Sequence, residues 1–200
     1  MAAPPPAVNL AEGFTQLKKY VVASVGVYVV GTFTIFVGLA EAVRVEKLDP
    51  LTWALVATGI IEAVPLVFLR KAFYTFYRFY RRRIYIAAAF VATLEVVAPP
   101  LLLLALTLIW VNPQPPHRIF LGLLALLSWP LGALRATFWF LTYRDLADDA
   151  EVDTFEKAGA AVFAAVFFVV LPLIWWLLTI AHLVLLYTAA DRAQAAAEGP

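Results

Sequence analysis

The chain of 200 residues contains no cysteine, so disulfides, thiol catalysis and cysteine-ligated zinc are excluded at once. Methionine occurs once, at position 1; the only serines are Ser24 and Ser128, and the only asparagines Asn9 and Asn112. Charge is also sparse: 14% of residues are Asp, Glu, Lys or Arg, against about 25% in a soluble domain. The net charge of +1 offers no field to a nucleic acid or an acidic partner. The two histidines, His117 and His182, lie far apart and have no pair spacing, so zinc and haem are poorly supplied with ligands. Nucleophile-elbow, zinc-protease and P-loop motifs are absent. The acidic segment 145–153 has neither the spacing nor the glycine of an EF-hand. These absences lead us to expect no metal, no cofactor and no conventional enzyme site. Depletion of Cys and Met suits a GC-rich or thermophilic source, or a designed sequence; the regular helix caps favour design.

What the chain has in abundance is apolar surface: 64% of residues, with a mean hydropathy of +0.86. A water-soluble chain of this composition would expose large apolar patches, which soluble proteins avoid. Five apolar stretches stand out, at 20–40, 51–69, 84–111, 119–143 and 158–187. About 20 apolar residues in a helix cross the hydrocarbon of a bilayer. None of the stretches alternates like a barrel strand, and a helix satisfies its own backbone hydrogen bonds. The expected fold is therefore all-α: a polytopic bundle of five membrane-spanning helices, several of them proline-kinked. Residues 1–19 read as an N-terminal cytoplasmic segment with a short interfacial helix begun by Asn9 and Glu12, residues 20–190 as the transmembrane domain, and 191–200 as a tail.

Punctuation supports these limits. Asp49-Pro50 reads as an N-cap followed by proline in the first turn. The segment Asn112-Pro113-Gln114-Pro115-Pro116 cannot continue a helix. Asp153 and Glu156 have capping-box spacing. Pro65, Pro99, Pro100, Pro130 and Pro172 fall inside spans and predict kinks there. Ser24, Gly31 and Gly38 recur every seven residues, a small-residue stripe that suits close packing on another span of the same chain.

With five spans, the cations Lys18, Lys19, Arg70, Lys71, Arg78, Arg81, Arg82, Arg83, Arg144 and Lys157 fall on one side. Arg44, Lys47, Arg118 and Arg192 fall on the other. The positive-inside rule then predicts a cytoplasmic N-terminus and a C-terminus on the opposite side. The stretch RKAFYTFYRFYRRR at 70–83 alternates rings and cations without an acid. Its aromatics Phe73, Phe76, Tyr77 and Tyr80 share a helix side and read as a headgroup-level belt. Arg70, Lys71, Arg78, Arg81, Arg82 and Arg83 would reach lipid phosphates, anionic ones in particular. The acidic loop 145–153 lies on that same side and is expected to attract the basic stretch.

Charges inside spans are costly and mark candidate sites. Glu62, Glu95 and Arg135 are the three here. Counted from the nearest span end at 1.5 Å per residue, they lie about 12, 18 and 12 Å deep, so all three can share one layer of the bundle. Arg135 cannot readily lose its proton, so a glutamate is expected to face it. His182 reads as an interfacial residue near the outer end of the fifth span.

The last two stretches resemble the emopamil-binding sterol-isomerase fold, also of five spans, in Phe140-Leu141-Thr142, Arg144-Asp145, Val170-Leu171-Pro172 and His182. The second-span histidine of such an isomerase is absent, and the likeness covers under half of the chain. What the resemblance implies is a pocket for a lipophilic ligand. The functional expectation from sequence is a structural or assembly role, as a designed scaffold or an accessory subunit. The alternatives are a transporter, channel or lipophile-binding protein using Glu62, Glu95 and Arg135, and a membrane isomerase. The expected partners are the lipid bilayer, anionic lipids, and other membrane subunits or a second copy, with no nucleic acid.

Overall fold

The structure, a computed structural model, describes residues 9–45, 49–96, 115–168 and 171–199. Among these residues there are six helices and no strand: α1 Leu10–Val45, α2 Asp49–Tyr80, α3 at 83–96, α4 Pro115–Ala150, α5 Thr154–Phe167 and α6 Pro172–Glu198. Pro99 and Pro100, Asn112 to Gln114 and the upper part of the 84–111 stretch lie outside the described residues.

Local chemistry explains most of the ends. Asn9 caps α1, its Oδ1 accepting from the Ala11 N–H at 3.0 Å. Residues 10–19, expected to hold a separate interfacial helix, are the opening turns of α1 itself. Two of the connections are very tight and end on left-handed residues. Arg81 has φ 61° and its N–H donates to the Tyr77 carbonyl at 2.9 Å, so α3 follows α2 after two residues. Glu151 has φ 55°, and the Val152 N–H closes α4 on the Ala147 carbonyl at 3.0 Å, a Schellman-type ending. The capping box expected at Asp153 does not form: Asp153 is itself helical, at φ −52° and ψ −22°, and makes no side-chain cap bond.

The stretch 158–187, expected as one span, is two helices. Proline disfavours helical ψ in the residue before it and brings no N–H of its own. Leu171 accordingly sits at φ −113° and ψ 85°, and Pro172 opens α6 in its first turn. Pro172 therefore starts a helix where a kink was expected, while Pro65 and Pro130 lie inside the helices α2 and α4. The extra reversal brings the chain back on itself. Lys18 Nζ donates to Asp191 Oδ1 at 2.7 Å, so the C-terminal turns of α6 lie beside the first turns of α1. The two described ends of the chain meet at one end of the bundle, which the expectation of ends on opposite sides did not foresee. Arg192 moves with them to the cation-rich end.

Two helices, Leu10–Val45 and Leu173–Glu198, are long and apolar enough to cross a membrane. Only 22% and 28% of their most apolar windows are buried, unlike the core helix of a soluble fold. By length and composition the described residues thus support two candidate spans, not five. The 14 residues of α5 reach about 21 Å, short of ~30 Å of hydrocarbon.

Neighbours run in a ring. α1 packs along α2 and α6, and α5 lies between α4 and α6. α3 closes the gap between α2 and α4 through Tyr85 against Phe73, with ring centroids 6.2 Å apart, and through Glu95 against Arg135. One end of the ring is filled by a plug to which every helix contributes: Phe14, Phe73 and Phe76, Tyr85, Tyr143, Phe155 and Leu186 are all buried. The rings interlock, with Phe14 on Phe76 at 5.0 Å, Phe14 on Phe155 at 6.0 Å and Phe73 on Trp139 at 5.5 Å. Each fully buried ring stabilises by about 1.5–3 kcal/mol relative to exposure. Away from the plug, the buried residues of α1 and α2 are mostly small ones in their shared seam: Ser24, Gly31, Gly38, Ala42, Ala54 and Thr58. A Cβ on Gly31 would stand 2.8 Å from Thr58 Cγ2, so the stripe brings α1 close against α2.

Candidate functional site

The site lies where the plug ends. On α4 one face carries Leu146, Thr142, Trp139 and Arg135 at helical spacing. The first three point into the core, and Trp139 is only 3% exposed. Arg135, one turn further along the same face, has a side chain that is 59% exposed. Tight packing on this face of α4 therefore ends between Trp139 and Arg135. α2 repeats the pattern. Phe76, Leu69 and Pro65 are buried on one face, and Glu62, next on that face, is exposed. On α3 the face of Tyr85, Ala88 and Ala92 continues to Glu95, whose side chain is 13% exposed.

Glu95 and Arg135 meet. Arg135 donates through Nε to Glu95 Oε1 at 2.6 Å and through Nη2 to Oε2 at 3.0 Å, a two-pronged pair. Trp139 Nε1 donates to the same Oε1 at 2.9 Å. The carboxylate thus holds three donors and fixes α3 against α4. Glu62 is within electrostatic reach of Arg135, but no ion pair to it forms among the described residues. Tyr28 of α1 feels both Glu62 and Arg135 and lies beside Thr179 of α6. Tyr20, Tyr143 and His182 also lie in the field of Arg135. Groups on five helices thus lie within electrostatic reach of Arg135, and Glu95 is the one that pairs with it among the described residues.

Sequence reasoning missed Trp139, Tyr28 and Thr179. Trp139 stands four residues after Arg135 and so on its face, a signal that was available. Tyr28 and Thr179 become neighbours only through the α1–α6 contact. His182, expected at the membrane interface, is buried: its Nδ1 lies 2.9 Å from the Ala158 carbonyl and its ring packs on Tyr143 at 5.6 Å. The extra reversal before α6 turns this residue inward and to the plugged end.

The basic stretch divides in two. Phe73 and Phe76, expected at headgroup level, are plug residues at 0% exposure, because α3 and α4 cover the side of α2 they occupy. Tyr77 and Tyr80 are half-buried at its edge. Arg70, Lys71, Arg78, Arg81 and Arg83 are exposed. Arg82 turns to the acidic segment, with Nε 3.3 Å from Asp149 Oδ1 and Nη1 3.5 Å from Asp145 Oδ2. Tyr85 donates its hydroxyl to Asp149 Oδ2 at 2.6 Å. Burial, and secondarily the charge of Asp149, pushes the Tyr80 hydroxyl up to about 12.

No group of three or more metal-binding side chains occurs among the described residues. No protein-family model matches the chain, and no curated protein and no solved structure matches it.

Proposed function

We propose that the chain is a multi-pass integral membrane protein whose helix ring holds a ligand-accessible interior, and that it binds or carries a small amphipathic molecule there. The observation that carries this is Arg135, 59% exposed on a helix face whose next residue toward the plug, Trp139, is 3% exposed. A purely structural bundle gains nothing by stopping its packing at a charged layer, whereas charges in membrane proteins face cavities and pathways. The ring of exposed Val, Phe, Leu and Trp on α1 and α6 supports lipid as the surrounding medium. Exposed cations at the plugged end support a cytoplasmic location for that end and for both described ends of the chain.

The test is calorimetric titration of hexanol into the protein in nanodiscs, with the same titration into lipid-only nanodiscs subtracted. A saturable one-to-one isotherm is expected; heat that grows without saturation would contradict the proposal. A structural or assembly role is the second reading, favoured by the three donors that already occupy Glu95. It predicts the unsaturable result.

A further inference from the structure

The outward faces of α1 and α2 change character at one level. On α2, Ile60, Val64 and Val67 are exposed at helical spacing, and the next positions on that face, Lys71, Tyr74 and Arg78, are exposed as well. On α1, Val37, Val30 and Val22 are exposed, and so is Lys19, one turn on from Val22. Gly13 faces Phe76 and Gly31 faces Thr58, so the two helices run antiparallel in a register that sets Lys19 level with Arg70 and Lys71. Both apolar stripes therefore end on cations at the same height, supplied by two neighbouring helices.

These cations are unclaimed. Lys18 is taken by Asp191, and Arg82 by Asp145 and Asp149. Lys19, Arg70 and Lys71 enter no ion pair among the described residues. No Asp or Glu stands between Glu62 and Glu95 in the chain. On α1 the acid before Lys19 is Glu12, two turns toward the plugged end and level with Arg78. The stretch 70–83 thus does not act as one belt. Phe73 and Phe76 fill the plug, Arg82 is paired, and Arg70 and Lys71 are left to join Lys19 of α1.

The dimensions fit a phospholipid. From Lys71 to Ile60 is about 16 Å along α2 at 1.5 Å per residue, one leaflet's share of ~30 Å of hydrocarbon. An acyl chain can lie along Ile60, Val64 and Val67 while the phosphate meets cations that reach outward on long apolar stems. Tyr74, 51% exposed, puts an amphipathic ring at headgroup level.

We infer that the outward α1–α2 face binds an anionic phospholipid, its headgroup at Lys19, Arg70 and Lys71 and an acyl chain along the α2 stripe. A choline headgroup brings a cation of its own to a site that already has three and no acid. The inference rests on lipid around α1 and α2, and not on the interior site proposed above.

The experiment equilibrates the full chain, in nonionic detergent, with equal amounts of dioleoyl phosphatidylglycerol and dioleoyl phosphatidylcholine, and counts retained lipids by native mass spectrometry. Each cation near an anionic headgroup contributes about fivefold, so the first lipid retained is expected to be phosphatidylglycerol by at least about tenfold. Lys19→Gln with Lys71→Gln should reduce that preference to under about threefold. Arg144→Gln with Lys157→Gln removes the same charge from exposed cations of α4 and α5 at the same end, and should leave the preference as it is. All four substituted residues are exposed, and thermal melts matching the parent's show that both variants are folded. Equal retention of the two lipids by the parent, a preference that survives Lys19→Gln with Lys71→Gln, or equal loss in both variants would overturn the site and leave the membrane reading standing. Retention of neither lipid would overturn both.

Discussion

Replacing Phe73 by alanine separates a packed plug from an aromatic belt. Phe73 is 0% exposed and its ring meets those of Phe76, Tyr85, Trp139 and Tyr143 at 5.7, 6.2, 5.5 and 6.1 Å. Phe→Ala in a core costs about 3–5 kcal/mol through lost transfer energy and the cavity left behind. Aromatic pairs add about 0.5–1.5 kcal/mol each but share the same ring, so the upper end of that range is expected and not a sum. Phe79 is the internal control: six residues on, 48% exposed, with Tyr80, at 5.1 Å, its one ring partner among the described residues. Phe79→Ala should cost no more than about 1 kcal/mol. Both variants are compared with the parent by denaturant titration in one detergent, following tryptophan emission. Since a domain's whole stability is about 5–15 kcal/mol, Phe73→Ala should show a large loss of midpoint at unchanged slope. Equal and small shifts for the two variants would refute the plug and return Phe73 to the lipid surface.

Three further outcomes follow from the geometry. Gly31→Val forces side-chain atoms onto Thr58 and should destabilise by about 1–3 kcal/mol, whereas Gly26→Ala, which meets nothing within 4 Å, should stabilise by up to about 1 kcal/mol in thermal melts. Arg135→Leu strips Glu95 of its guanidinium and should cost about 1.5–3 kcal/mol, while the double variant Arg135→Leu with Glu95→Leu should recover part of that; a double variant worse than the single one would contradict the pairing. The Tyr80 hydroxyl titrates near 12 when folded and near 10 when unfolded, so the folded state holds its proton more tightly. Stability should be fully present below pH 10 and fall as pH rises from about 10 to about 12; in Tyr80→Phe that part of the decline should vanish, measured by denaturant midpoint against pH.

The helices were legible because their signals are local. Asn9, Pro50 and the long apolar runs act on their own neighbours, and the Ser24–Gly31–Gly38 stripe is written in periodicity. Glu62, Glu95 and Arg135 could be singled out because charge inside an apolar run is conspicuous in any sequence. What could not be read was direction. Nothing in RKAFYTFYRFYRRR says that α3 doubles back after two residues and covers Phe73 and Phe76. The left-handed turn at Arg81 falls on an arginine, not on the glycine that would have announced it. The break before Pro172 was visible as a proline, but a proline in an apolar run reads equally as a kink or a start. Taking it as a kink removed one reversal, which in turn put the chain's ends apart and His182 at a surface. The distinct fates of the two glutamates, one paired and one exposed, depend on contacts between helices distant in sequence.

The proposed interior is sealed at the plug and open at the charged layer. Because the chain lacks cysteine, a single introduced thiol reports without background. Glu62→Cys and Ala88→Cys, two positions on inward faces, are reconstituted in vesicles and exposed to a small, charged, membrane-impermeant thiol reagent from both sides. The account predicts modification at position 62 and protection at position 88. Protection at 62, or equal reaction at both positions, would contradict it.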